Sequence, residues 1–261
     1  MADVMQPLAV PEPRTQHGYV VLRSPPYGFD LFDDCGTCRW RNERFFCDLD
    51  AATLKVLEGL AFTNVYPDGA VLFSEGQPAR GVFLMCHGSA KLSISSGDGK
   101  TLITKITEPG ELLGLSSTLT GHPYKSTAET IEPSQVNFIR REDLLRFIQD
   151  HHSACGNVTR QLTHDIEIDE EHIRAIGLSH SAGEKLANLI LSWCAEHGKP
   201  GDGGLRVQML MTHEDISQLI GTSRETVTRL LKEFREKKLI SIKGATMTVH
   251  NRAALESLVL L

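Results

Sequence analysis

The chain has 261 residues, 41% of them hydrophobic and 23% charged, enough to bury a core and to divide into about two domains at roughly 100–200 residues each. Its apolar runs all fall short of the roughly 18 residues a membrane span needs, and Met1–Arg14 lacks the basic start and apolar middle of a signal peptide, which predicts a soluble, cytoplasmic protein with no membrane partner. Net charge is −6, which argues against indiscriminate nucleic-acid binding, yet Ser181–Leu261 carries 11 Lys and Arg against 9 Asp and Glu while Met1–His180 carries 16 against 24, so basic charge gathers at the C-terminus.

Residues 1–30 hold Pro7, Pro11, Pro13, Pro25 and Pro26 without any sustained period and read as an N-terminal arm. Residues 31–140 read as a cysteine-containing segment followed by a β sensor domain. Leu54, Leu57 and Leu60 suit a short helix over Asp50–Leu60. From Asn64 to Arg140 glycines punctuate short β-branched or alternating runs, Val82–Met85, Ala90–Ser95, Thr101–Ile106 and Gln135–Ile139, the pattern of a jelly roll of short antiparallel strands.

Residues 141–180 are predicted to be helical. Leu162, Ile166, Asp169, Ile173 and Ile176 recur at spacings of 4, 3, 4 and 3, a coiled-coil seam that predicts a homodimer, with packing on its own domain as the alternative. Asp169 sits at a core-type position, where in a symmetric dimer it would meet its twin. Residues 181–261 read as a compact helical unit, with a helix from Ser181 to about Glu196 and a loop over His197–Gly204. Cys155 and Cys194, in helical stretches, read as packing residues.

The run LMTHEDISQLIGTSRETVTRLLKEF carries the clearest signal. Thr212 is an N-cap with Asp215 three residues on, Ile216, Leu219 and Ile220 form an apolar stripe, and Gly221 marks the turn. Ser223 then caps a second helix with the stripe Val227, Leu230 and Leu231. This is a helix-turn-helix whose second helix presents Arg224, Glu225, Thr228 and Arg229 away from the core, where arginine can grip guanine and glutamate can accept from cytosine. Lys232, Arg235, Lys237, Lys238 and Lys243 are placed for phosphates, and Leu239–Ile242 with Met247–Val249 read as a two-stranded wing. A helical hairpin with a solvated charged face is the plainer alternative.

From about Leu31 to the end, the order of segments and this motif resemble the Crp/Fnr family of bacterial transcription regulators. The resemblance implies an α+β fold: an N-terminal jelly-roll β-barrel of the cyclic-nucleotide-binding type, a long dimerisation helix and a C-terminal winged helix-turn-helix. SRETVTR resembles the cyclic-AMP-receptor type of reading helix, which implies double-stranded DNA with a TGTGA-N6-TCACA palindrome as partner. RNA polymerase is a further implied partner if the protein activates. In PGELLGLSSTLTGHPYKSTAET, alignment on Gly110 and Gly114 puts Leu115 where the family's cyclic-nucleotide sensors hold glutamate, and Lys125 at best where they hold arginine, so cyclic AMP is not expected.

FDDCGTCRWRNERFFCDLD points to another signal. Cys35 and Cys38 are spaced C-x2-C and Cys47 follows after eight more residues, a set that can hold a metal centre; spacing alone leaves open iron–sulfur, structural zinc, and unliganded cysteines in a regulator that answers to another small ligand. Its place before the β-roll resembles the oxygen-sensing Fnr branch, which implies a [4Fe–4S] cluster. That branch takes its fourth cysteine from a late strand, where this chain has Asn137; Cys86 is the obvious substitute, with Asp33, Asp34 or an exogenous ligand as alternatives, though Cys86 taken alone reads first as a buried small hydrophobe. The branch also carries a charged seam residue, matched by Asp169 between Ile166 and Ile173, which implies a dimer switch. No nucleotide loop or nucleophile elbow is present, so an enzyme is disfavoured.

Overall fold

The computed structural model describes residues 34–38, 40–41 and 45–259, so the arm over 1–30 and Asp33 lie outside the described residues. Behind a 3₁₀ turn at Phe45–Asp48, the Asp50 carboxylate accepts from the backbone of Ala52 and Thr53 and starts α1 (Ala51–Leu60). The roll follows: β1 (Ala61–Tyr66), β2 (Val71–Phe73), β3 (Gly81–His87), β4 (Ala90–Ser95), β5 (Thr101–Thr107), β6 (Leu112–Leu113), α2 (Leu115–Thr120), β7 (Thr127–Thr130) and β8 (Ser134–Arg140). Its two four-stranded antiparallel sheets run β1-β8-β3-β6 and β2-β7-β4-β5.

Strand alternation divides the core. Phe83, Met85 and Val136 turn inward to meet Phe73, Leu113, Tyr124 and Ala128. Val82, Leu84 and Ile139 turn outward, where α1, α3 (Arg141–Asp150) and α4 (His152–Leu178) cover them with Leu54, Leu57, Leu144, Phe147, Ala154 and Val158. The 27 residues of α4 extend it to about 40 Å at roughly 1.5 Å per residue.

The C-terminal unit comprises α5 (Ala182–His197), β9 (Lys199–Gly201), β10 (Gly204–Gln208), α6 (His213–Leu219), α7 (Arg224–Glu236), β11 (Ile240–Lys243), β12 (Thr246–Val249) and α8 (Arg252–Val259). Two sequence expectations need correction here. The stretch read as a loop over His197–Gly204 forms most of a β9–β10 hairpin, and the wing is half of a four-stranded sheet ordered β11-β12-β10-β9. The hairpin escapes pattern reading because only Val207 of β10 is fully buried, so no alternation marks it. Ile103 of β5 joins the core of this unit, alongside Leu219, Ile220 and Val227, so α6 packs directly on the roll.

Buried charge stitches the roll to α4. Lys105 of β5 is only 8% exposed and places Nζ 2.9 Å from Glu111 and 2.6 Å from Asp165. Gln161 of α4 donates to and accepts from the backbone of Leu112. No described helix is long and apolar enough to cross a membrane.

Candidate functional site

Three distant stretches bring cysteines to one place. Cys35 and Cys38 lie on the turn at Asp34–Cys38, which the Asp34 carboxylate closes by accepting from the Gly36 N–H at 2.7 Å. Cys47 sits in the 3₁₀ turn, its carbonyl accepting from Arg41 at 2.8 Å. Cys86 comes from β3, at the point where the β3–β8 register shifts between Met85 and His87. All four line one cavity of about 60 Å³ together with Trp40, Phe46, Thr63, Glu58 and Asn137. That volume is far below the roughly 300–1,000 Å³ of a pocket for a nucleotide-sized ligand. Of the residues weighed for a fourth ligand, the structure places Cys86 among the three N-terminal cysteines and occupies Asp34 in its own turn.

The thiols feel one another. Burial pushes the Cys35 thiol up to about 11, with Glu58, Cys38 and Asp34 adding to the effect and Arg41 opposing it. Burial also raises Cys86 well above the ordinary thiol value, reinforced by Cys35, Cys47 and Cys38 and opposed by the backbone N–H of Asn137, which faces its sulfur. Cys35 and Cys86 are thus held as thiols unless a centre that brings positive charge draws off their protons. Among the described residues no group of three His, Cys, Asp or Glu side chains is placed to hold a metal ion; the four cysteines line one cavity. The Oδ1 atom of Asn137, a residue 6% exposed, is buried with no hydrogen-bond partner. Four thiols lining one cavity are the donor set that a thiolate-ligated metal centre takes, and the residues fit such a group.

The cysteine turn is tied to α4. Asn157, 2% exposed, donates to the Phe45 carbonyl at 2.6 Å, Arg160 reaches Asp48 at 3.3 Å, and the Phe45 ring lies 5.4 Å from that of His164. Further along α4, Ile166 and Ile173 are 59% and 68% exposed, and Asp169 lies between them on the surface. Burial raises the Asp169 carboxyl, and the neighbouring Asp165 raises it further against Lys105 and His172. The apolar stripe is shorter than its sequence suggests. Leu162 packs into the core under α3 and Ile176 turns toward Gly221, which leaves Ile166 and Ile173 as the exposed pair.

Inside the roll the Phe73 and Tyr124 rings stack with their centroids 4.0 Å apart. Tyr124 donates to the Gly81 carbonyl at 2.6 Å, and a Cβ on Gly114 would come within 2.6 Å of its ring.

The helix-turn-helix forms as its caps dictate. Thr212 accepts from the Asp215 N–H at 3.1 Å while Asp215 accepts from the Thr212 N–H at 2.9 Å, a reciprocal capping box, and Ser223 accepts from the Thr226 N–H at 3.3 Å. Gly221 makes the turn at φ +62°, a left-handed conformation that favours glycine. Val227, Leu230, Leu231 and Phe234 bury one face of α7, so Arg224, Glu225, Thr228, Arg229 and Lys232 stand exposed on the other. Thr212 and Ser223 spend their hydroxyls on capping. Thr228 donates to the Arg224 carbonyl at 2.9 Å and meets His213 Nδ1 at 2.9 Å.

Sequence reading missed the ion pair that holds this motif to the roll: Lys91 of β4 lies 2.8 Å from Asp215 and 3.2 Å from Glu129. It also missed Asn157 and Gln161, polar residues in an amphipathic helix that carry no pattern signal. Cys194 is buried as expected, whereas Cys155 is exposed and packs nothing.

Comparison with known proteins agrees with this architecture. A cyclic nucleotide-binding domain model matches residues 63–151 and a Crp-like helix-turn-helix domain model matches residues 184–258. The chain is 29% identical over 191 residues to the global nitrogen regulator of Synechococcus elongatus, covering 72% of this chain and 85% of that one. It is 27% identical over 190 residues to the fumarate and nitrate reduction regulatory protein of Vibrio cholerae, covering 73% and 75%. The structure of FixK2 from Bradyrhizobium japonicum superposes with a TM-score of 0.66 at 22% identity, over 76% of this chain and 96% of that one. These relatives are regulators and not enzymes, and with its β-roll, long helix and helix-turn-helix in the same order the chain belongs to the Crp/Fnr family of DNA-binding transcription regulators.

Proposed function

We propose that this regulator works as a dimer whose DNA binding depends on an oxygen-labile [4Fe–4S] cluster held by Cys35, Cys38, Cys47 and Cys86. The observation that carries the reading is the arrival of Cys86, from the middle of the sheet, at the cavity lined by the three N-terminal cysteines. Four thiolates on one zinc stand roughly 3.8 Å apart at about 2.3 Å from the metal. Four thiolates are also the ligand set of a [4Fe–4S] cluster, and iron and sulfide content separates it from zinc. When bound, the cluster supplies a covalent clasp between the N-terminal turn and the sheet that oxygen can break.

The chain's own residues turn that clasp into a signal. With Cys47 fixed, the 3₁₀ turn presents the Phe45 carbonyl to Asn157 and Asp48 to Arg160, and so braces the first half of α4. Ile166 and Ile173 then meet a second copy. The paired Asp169 carboxylates oppose that contact, which makes dimerisation conditional on the brace. Two α7 helices set by a C2 axis read a palindrome, with Arg224, Glu225 and Arg229 on the TGTGA half-site, Thr228 beside them and Lys232 toward the phosphates. On this reading cyclic AMP is not the ligand, since Leu115 and Lys125 stand where the family's cyclic-nucleotide sensors hold glutamate and arginine.

Serine replacement of each cysteine in turn, with iron, sulfide and zinc measured on anaerobically purified protein, tests the assignment. The reading expects iron and sulfide in the parent chain and their loss from C35S, C38S, C47S and C86S, with C155S and C194S unchanged. Zinc, or no metal, in the parent chain would overturn it.

A further inference from the structure

Asn137 buries a polar atom that has no hydrogen-bond partner among the described residues. It lies on β8, the second strand of the outer sheet, between Thr63 of β1 and Leu84 of β3. The same face holds the buried apolar Val82, Leu84 and Ile139 together with the buried Gln135 and the exposed Thr63. An amide here is 94% buried by its 6% exposure, and its Oδ1 atom meets no donor. Leaving a buried polar atom unpaired costs about 1–3 kcal/mol, and a valine or leucine would avoid that cost. The amide borders the same cavity as the four cysteines, and its own backbone N–H faces the Cys86 sulfur.

We propose that the Asn137 side chain is the hydrogen-bond donor to the sulfur centre and sets how fast air destroys it. Half a turn about its Cβ–Cγ bond exchanges the orphaned carbonyl for the NH2 group in the same place, and thiolate and sulfide sulfurs accept from N–H donors. Such a bond draws electron density from sulfur and makes the centre harder to oxidise. The strand position that would otherwise carry a ligand thus carries a positioning and tuning group, while the thiolate comes from Cys86 on the adjacent strand. The proposal rests on the cluster reading of the cavity.

The test uses the full chain, purified without oxygen. Iron and sulfide are measured first, then the half-life of the absorption in air-saturated buffer for the parent, N137A and the nearly isosteric N137D, each scaled to the iron it holds at the start. Bleaching roughly tenfold faster in both variants is expected, in line with the usual effect of removing a partner just outside a metal's ligands. Parent-like half-lives in both would overturn the proposal while leaving the cluster reading intact. Absence of iron and sulfide from the parent would remove the reading and the proposal together. An independent arm moves the ligand: C86S should lose iron, and C86S with N137C should regain it, because the two side chains border one cavity from adjacent strands. Failure to regain iron would place the 137 side chain out of reach of the centre and also overturn the proposal.

Discussion

Replacing Lys105 with methionine should unfold the roll from α4 in a pH-dependent way. In the folded chain Lys105 is 8% exposed and neutralises Glu111, whose side chain is 4% exposed, at 2.9 Å, while it also holds Asp165 at 2.6 Å. Burial would lower the Lys105 pKa, but Glu111 and Asp165 outweigh it and raise it; burial raises Glu111 even against the pull of Lys105. Without the ammonium, Glu111 must either stay charged in a dry site or take up a proton. Holding it protonated at pH 7, against an ordinary glutamate pKa of about 4.3, costs about 3.7 kcal/mol at 1.36 kcal/mol per pH unit, and this caps the charge penalty. The cap sits inside the 3–5 kcal/mol typical of breaking a buried ion pair. At pH 5 it falls to about 1 kcal/mol. The sign follows from linkage: a carboxyl whose folded pKa is raised loses stability as pH climbs. Urea unfolding of parent and K105M at pH 5 and pH 7, at one fixed protomer concentration, reads the difference. K105M with E111L should recover most of the loss, since an apolar pair replaces a broken ionic one. A K105M penalty below 1 kcal/mol at pH 7, or one equal at both pH values, would refute the reasoning.

On the DNA side, R224A should cost about 1–3 kcal/mol at one base pair of a TGTGA palindrome and relax specificity there, whereas K232A should weaken all sequences alike and flatten the salt dependence, both read by titration at several salt concentrations. D169A should dimerise and bind DNA in air, raising aerobic occupancy about five- to 150-fold if the coupling is 1–3 kcal/mol; unchanged oxygen dependence by sedimentation would contradict the switch. Burial tends to raise Asp215, but hydrogen bonds from Lys91 and Thr212 prevail and hold it below its ordinary 3.8. Its contribution is therefore present above that value and lost as pH falls through the lowered pKa, so K91M should show a shallower acid-unfolding slope below about pH 4.

The local grammar of the chain is legible from sequence because short-range chemistry writes it. Asp50, Ser181, Thr212 and Ser223 cap the helices they announce, and the β-branched runs at Val82–Met85 and Ala90–Ser95 lie inside the strands β3 and β4. What sequence hides is long-range. Cys86 reads first as a packing residue until alternation puts it on the Val82 and Leu84 face, where it lines one cavity with the N-terminal cysteines. Lys91 and Asp215 are 124 residues apart, and although Asp215 is marked as the capping partner of Thr212, nothing local points from it to Lys91. Asn157 and Gln161 look like the polar side of an amphipathic helix, yet both are buried, because their partners are the Phe45 and Leu112 backbones and not solvent. The seam misleads in the opposite sense. Its period is regular from Leu162 to Ile176, but tertiary packing claims both ends.

The most direct measurement is the absorption spectrum with iron, sulfide and zinc content of anaerobically purified protein, taken before and after exposure to air, alongside binding to a TGTGA palindrome at fixed salt. The account predicts iron with sulfide, bleached by air in step with the loss of dimer and of DNA binding. Zinc or no metal, with DNA binding indifferent to air, would contradict it.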